Sequence, residues 1–254
     1  MVDWIPAWPA KLLDADSVEC RKHDSSRLYI LSPALIGCPR LPSPTYNLIA
    51  GQSVERLAAL SDGIFGVAMT LLVLELHVPL AEAVHSENDL LHGLAGLLPS
   101  LIVYLMSFLT LGIFWVGQQT QLNHLERSER SLTWIHLGFL FAVTLMPFST
   151  RLLGEFPALR TALIVYWLNI VLLGAGLYVS WICALQTGLV KPDLEPGVPQ
   201  AIQRRIIVAQ TLYALGAALC VVSTRWSIAW IVAVQLNYVI APRFGWRVPT
   251  EPSA

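Results

Sequence analysis

Six long apolar segments, separated by short polar stretches, dominate the chain after residue 50. They lie at approximately 56–76, 95–121, 132–153, 159–186, 204–223 and 226–241. Each is near the roughly 20 residues that a helix needs to cross a bilayer. The last two are separated only by residues 223–225, so we expect them to form a tight hairpin. The pattern predicts an all-α, polytopic membrane protein with six transmembrane helices.

The composition supports a membrane protein and excludes several other classes. Hydrophobic residues make up 55% of the chain and charged residues 13%, whereas a soluble domain is about 25% charged. The net charge of -1 and the lack of a Lys/Arg block argue against nucleic-acid binding. The four cysteines show no metal-ligand spacing. We therefore expect neither a metal site nor any other cofactor.

Outside the apolar region, both ends of the chain differ in character. Residues 1–50 are rich in proline, carry mixed charges and show no helical period. We interpret them as a flexible N-terminal extension, or as the product of an over-long start assignment, without a signal peptide. Residues 51–245 form the six-helix transmembrane domain, and residues 246–254 form a short C-terminal tail.

Basic residues near the helix ends orient the protein in the membrane. An even number of spans places both termini on the same side. Eight basic residues fall on that side: Arg56, Arg127, Arg130, Lys191, Arg204, Arg205, Arg243 and Arg247. Only three fall on the opposite side: Arg151, Arg160 and Arg225. By the positive-inside rule the termini are cytoplasmic, and we expect a multi-pass protein of the cell membrane.

The first apolar segment has an apolar stripe along one face. Because an α-helix turns about 100° per residue, positions can be placed around its axis. Relative to Val67, three apolar side chains lie within about 60°: Ile64, Leu71 and Leu74. Thr70 lies about 60° away, where its hydroxyl can bond a carbonyl one turn earlier, and Asp62 lies about 140° away.

This stripe allows two interpretations. It can be an ordinary surface for lipid or a neighbouring helix, with Ser61 and Asp62 near the positive end of the helix dipole and Arg56 reaching to the interface. Alternatively, the stripe lines a pore, and Asp62 on the other face fixes the helix to its neighbours. The helical arithmetic leaves both open, because either helix packing or a path for ions can account for polar groups inside a spanning helix.

Two motifs in a fixed order carry a family resemblance. The first is Arg56-x-x-x-Leu-Ser-Asp-Gly63, followed by an apolar run that ends in Leu74-Glu-Leu-His-Val-Pro79. The second comprises Phe114-Trp115, then Trp134, then a run from Leu145-Met-Pro-Phe-Ser-Thr to Leu-Gly-Glu-Phe-Pro157. Over about residues 53–245 the chain resembles the transmembrane protein 175 family, the lysosomal and bacterial potassium channels. The family's first motif reads Arg-x-x-x-Phe-Ser-Asp.

The resemblance implies a potassium-preferring channel for monovalent cations. Bacterial members of this family are six-helix subunits that assemble in the lipid membrane as homotetramers, with the first helices around a central pore. By position, the hydrophobic constriction falls on Val67, with Leu71 and Leu74 further along the pore, and the nearby hydroxyl layer falls on Thr70. Ile64 completes the stripe. The constriction residue is usually Ile or Leu, so the smaller valine implies a wider throat and softer discrimination.

The resemblance also implies a structural polar network that holds the pore helix. Arg56, Ser61 and Asp62 of the motif would contact partners on the second and third helices. Gln118 stands where relatives often carry histidine, and His136 stands where asparagine is common. Amide and imidazole groups can still hydrogen-bond these partners.

Other functions stay open to different degrees. A proton-permeable channel or a cation transporter is one alternative, because His77, His124 and His136 flank or enter apolar segments. A non-conducting membrane scaffold of the same fold is another. An enzyme is not expected, since the sequence contains neither Gly-x-Ser-x-Gly nor His-Glu-x-x-His.

Overall fold

The computed structural model describes residues 53–79 and 85–240, which form a helical bundle. Outside the helices, this part of the chain adds one isolated β-bridge between Leu125 and Val190. The predicted extension (1–50), the predicted tail (246–254), Arg243 and Arg247 lie outside the described residues. The helices are α1 (Val54–Val73), α2 (Glu87–Gly96), α3 (Leu98–Asn123), α4 (Arg130–Thr144), α5 (Met146–Glu155), α6 (Arg160–Gln186), α7 (Val198–Ala218) and α8 (Thr224–Ile240).

Among the described residues, five helical stretches are long and apolar enough to cross a membrane. They are α1, α3, α4 together with α5, α6, and α7 with the short 3-10 turn Leu219–Val221 that follows it. The all-α, multi-pass prediction is confirmed. The sixth predicted segment is also helical, but α8 has 17 described residues, the lower end of the spanning range. Six spans therefore stay a prediction.

The third predicted segment, 132–153, is one span built from two helices. α4 ends at Thr144, and α5 begins at Met146 with Pro147 in its first turn. Proline has no backbone N–H, and its ring clashes with the carbonyl four residues earlier, which accounts for the break. The sequence analysis treated this segment as continuous.

The predicted hairpin between the last two segments is confirmed. α7 ends in the 3-10 turn, and α8 begins at Thr224. The Ser227 hydroxyl donates to the Gly216 carbonyl, and Trp230 Nε1 donates to the Leu212 carbonyl at 3.0 Å. The two antiparallel helices are therefore joined by direct contacts near the turn.

Helix α2 was not predicted, since its region was treated as a loop. Ser86 caps its N-terminus, where the Ser86 hydroxyl accepts from the Asp89 N–H at 3.2 Å and donates to the Asp89 carboxylate at 2.8 Å. The hydrogen bond from the Ser86 hydroxyl and a second one from the His85 N–H lower the pKa of Asp89, because both stabilise its charged carboxylate. No residue of α2 is buried, and its leucines, Leu90, Leu91 and Leu94, are exposed.

The bundle fixes the rotation of α1. Helix α1 packs against α3, α4 and α5, and the face that it buries consists of Leu57, Ser61, Phe65, Ala68 and Leu72. Between membrane helices such contacts stabilise through close packing and hydrogen bonds, because lipid is as apolar as the core. The rest of α1 is left facing outward from the subunit.

Candidate pore face and polar network

The predicted stripe of α1 forms its outward face. Val67 is 59% exposed, Leu71 42% and Leu74 70%, while Ile64 is half-buried against the core. Leu74 lies one residue beyond α1, at its C-cap, with helical backbone angles. Val67, Leu71 and Leu74 therefore lie on one exposed side of the subunit, along the stripe that the helical arithmetic placed on a single face.

An apolar groove runs beside this stripe. It has a volume of about 400 Å³ and is lined by Leu60, Gly63, Ile64, Val67 and Leu71 of α1, with Thr144 and Pro147 across from them. The break between α4 and α5 thus forms the opposite wall. In one subunit this surface is uncovered, so it is free to meet either lipid or a further subunit.

Thr70 places a polar group next to the apolar stripe. Its side chain is exposed, and its hydroxyl donates to the Val67 carbonyl at 2.8 Å. That bond satisfies the hydroxyl hydrogen within the helix, as predicted, while the oxygen lone pairs stay accessible. Thr70 can therefore offer an acceptor to a passing cation one turn from Val67.

A buried hydrogen-bonded chain ties α1 to α3 and α4. Gln118 Nε2 donates to the Ser61 hydroxyl at 2.6 Å and lies 2.5 Å from His136 Nε2. The Ser61 hydroxyl donates in turn to the Leu57 carbonyl at 2.7 Å. All three of these side chains are at most 1% exposed. The structure thus brings together Ser61, Gln118 and His136, three of the five predicted network residues.

The hydrogen bonds of His136 select one tautomer of its neutral ring. Since the Gln118 amide nitrogen can only donate, His136 Nε2 must accept, and the proton of a neutral ring lies on Nδ1. His136 Nδ1 is 3.5 Å from the Ser180 hydroxyl of α6, an acceptor for that proton. The ring therefore extends the chain from α1 through α3 and α4 to α6.

We expect Gln118→Leu to destabilise the subunit more than Gln121→Leu. The first change leaves Ser61 and His136 without their donor in a buried site, at about 1–3 kcal/mol. Gln121 is also buried on α3, but its amide makes one bond, to the Leu177 carbonyl at 3.1 Å. Thermal unfolding in detergent, followed by size-exclusion chromatography, compares the two. Equal stability of the variants would contradict the assigned role of Gln118.

Asp62 belongs to a second, separate cluster. Its Oδ1 atom accepts from Trp115 Nε1 at 2.8 Å and from Gln119 Nε2 at 2.6 Å. Gln119, with Gln118, stands where relatives often carry a pair of histidines, and its amide was expected to be able to bond such a carboxylate. Trp115 was not predicted to belong to the network. The signal was present, because residues four apart on α3 share one helix face. Asp62 thus fixes α1 to α3 at a position about 100° around α1 from Ser61.

The structure does not join Arg56 to either cluster. Its backbone N–H donates to the Ser53 hydroxyl, which caps α1, at 3.2 Å. Its side chain is exposed, and among the described residues it forms neither a hydrogen bond nor an ion pair. The expectation of a single five-residue network is therefore replaced by two clusters and a separate arginine.

Comparison with known proteins identifies relatives of the whole membrane region. The family model described as endosomal/lysosomal potassium channel TMEM175 matches residues 56–147. A potassium channel from Streptomyces collinus is 31% identical over 206 residues, covering 78% of this chain and 96% of the relative. The endosomal/lysosomal proton channel TMEM175 of Danio rerio is 30% identical over 122 residues, covering 46% of this chain and 24% of that protein.

A solved structure has the same architecture. The crystal structure of a lysosomal potassium-selective channel TMEM175 homolog from Chamaesiphon minutus superimposes with a TM-score of 0.65 at 26% identity. The match covers 74% of this chain and 96% of the other. The likeness therefore extends over nearly all of the solved chain and about three quarters of this one.

Proposed function

Because the chain belongs to the TMEM175 family, we propose that it is a potassium-preferring channel that conducts monovalent cations passively across a membrane. Bacterial relatives that it matches over most of their length are potassium channels. The family is one of ion channels, which argues against an enzyme. The proposal extends to six spans, cytoplasmic termini, the cell membrane and a homotetramer.

The observation that carries the pore assignment is the outward-facing stripe of α1. Because lipid is as apolar as the core, an exposed apolar stripe suits either lipid or a shared pore, and family membership favours the pore. Here Val67 and Leu71 are exposed in the subunit, and the groove beside them is open. Four subunits that bring these stripes to one axis would enclose a conduit with apolar walls. The two polar clusters lie on other faces of α1 and hold its rotation.

In this arrangement Val67 would form the constriction and Thr70 the adjoining hydroxyl layer. A ring of apolar side chains cannot replace the water that a cation loses, so the ion must shed part of its hydration shell. Potassium sheds water more readily than sodium, which gives a preference without a filter of backbone carbonyls. Leu71 and Leu74 would continue the apolar wall, and Ile64 would support it from its half-buried position.

Ion flux through the purified protein in liposomes tests this function. We expect potassium and caesium flux to exceed sodium flux, and empty liposomes to show neither. The measurement is a cation gradient followed by a fluorescent reporter of the resulting membrane potential. Absence of cation flux above the empty-liposome level would overturn the proposal and favour a non-conducting scaffold of the same fold.

Proton conduction is the second candidate function. Vertebrate relatives are named proton channels, and His136 is a buried imidazole in the polar chain beside the pore helix. The same liposomes, with a pH gradient and a pH-sensitive dye inside, separate the two. We expect proton flux to be slower than potassium flux. Proton flux without potassium flux would replace the first candidate by the second.

A further inference from the structure

Arg56 lies on the same side of α1 as the pore stripe. Arg56 precedes Val67 by eleven positions. This step corresponds to about 16 Å along the axis of α1 and to an offset of about 20° around that axis. Arg56 is in the first turn of α1 and exposed. A line through the stripe, continued toward the N-terminus of α1, therefore meets its side chain.

Within the described ranges, nothing neutralises this arginine. The carboxylate of Asp62 is about 120° away around the helix and is held by Trp115 and Gln119. Glu55 is about 100° away from Arg56, and neither residue takes part in an ion pair there. The helix dipole gives no compensation, because it disfavours a cation at the N-terminus. Among the residues that the structure describes, the guanidinium is therefore an uncompensated charge at this end of the stripe.

We infer that Arg56 forms a ring of positive charge at the pore mouth next to the N-terminus of α1, where it restrains cation entry and makes conduction rectify. The inference rests on the proposed function, since the ring exists only where several stripes face one axis. It differs from the network role that the sequence motif implied for Arg56, because it assigns this residue to the rate of ion entry and not to helix packing.

The distance between Arg56 and Val67 separates the effect on ion entry from the effect on ion selectivity. Salt screens charges over about 8 Å at physiological ionic strength, and Arg56 is about 16 Å from Val67 along α1. The ring therefore acts on the local cation concentration at the mouth and leaves the constriction nearly unaffected. A charge at the mouth changes the entry rate most at low salt. Rectification should change while the potassium-to-sodium preference stays constant.

Single-channel recording of Arg56→Gln in a planar bilayer tests the ring. At about 20 mM KCl, where screening extends over roughly 20–30 Å, we expect current entering from the arginine side to rise about threefold or more. The current–voltage relation should then be nearly symmetric. At 1 M KCl, where the screening length is about 3 Å, wild type and variant should agree.

Arg127→Gln is the matched control. Arg127 is exposed in the connection between α3 and α4, at the same end of the bundle as Leu57 and Leu125, but it is not on α1. Removing its charge should leave the current–voltage relation as in wild type. An equal change in both variants would assign the effect to general surface charge and overturn the ring.

A second variant keeps the test decisive if Arg56→Gln does not assemble. In Arg56→Cys, membrane-impermeant thiol reagents add a positive or a negative group to the finished channel from one side. The cationic reagent should restore rectification and the anionic reagent should reverse it, with wild type treated alike as the control. The ring would be overturned if Arg56→Gln rectified as strongly as the wild type. It would also be overturned if neither reagent changed the current through Arg56→Cys. If the wild-type protein itself carried no current in the bilayer, the proposed function would be overturned instead.

Discussion

Val67→Asn is expected to remove most of the potassium-over-sodium preference, with a change in the flux ratio of about threefold or more toward unity. Val67 is the exposed apolar residue at the centre of the stripe. An asparagine amide there supplies an oxygen atom that can coordinate either ion in place of water, so the cost of shedding water no longer discriminates between them. Liposome flux with potassium and sodium gradients measures the ratio, and total flux should not fall.

Two further variants define this result. Val67→Ala widens the throat without adding a polar group, and we expect an intermediate loss of preference. Val73→Asn is the matched control, because Val73 is an exposed valine of the same helix about 120° from Val67. It should keep the wild-type ratio. An unchanged ratio in both Val67 variants would reject Val67 as the constriction, and a loss in Val73→Asn alone would assign a different face of α1 to the pore.

Asp62→Ala is expected to reduce assembly strongly while leaving the ion preference of the surviving channels unchanged. The substitution leaves Trp115 Nε1 and Gln119 Nε2 without the carboxylate that they share. A hydrogen bond to a charged group contributes at least about 1.5 kcal/mol, so losing one lowers the equilibrium constant for folding of the subunit about tenfold. Fewer folded subunits are then available to assemble. The area of the assembled peak in size-exclusion chromatography, compared with wild type, measures the loss.

The conservative variant Asp62→Asn tests whether assembly needs the hydrogen-bond acceptor of Asp62 or its negative charge. Its amide oxygen can still accept from Trp115 and Gln119, so assembly should recover in large part. If Asp62→Ala instead gave a normal assembled peak and an altered flux ratio, Asp62 would face the ion path, and the rotation of α1 proposed for the pore would be wrong.

Much of the membrane domain could be predicted from the residues alone. Apolar length predicted the spanning helices, and the hairpin near residue 223 followed from the short gap between two such segments. The stripe around Val67 followed from the helical turn angle, since α1 is a regular helix over these positions. The membership of Ser61 in a polar chain with Gln118 and His136 followed from the family resemblance.

Other features depended on contacts between segments distant in sequence. The amide of Gln119 and the indole of Trp115 meet Asp62 only because α1 and α3 pack side by side. Helix α2 depends on a local cap at Ser86 and has no buried face. The separation of Arg56 from the polar clusters appears once their partners are placed around α1.

The sequence by itself determined that this chain forms membrane helices and that α1 carries an apolar stripe around Val67, because length and angular period are local properties of a helix. Only the tertiary structure decided which face of α1 is buried. Packing of Leu57, Phe65 and Leu72 against neighbouring helices, with hydrogen bonds from Gln118 and Gln119 on either side, fixes the rotation of the helix. The stripe of Val67 faces outward because those contacts hold a face centred about 120° around α1 from Val67 against the bundle.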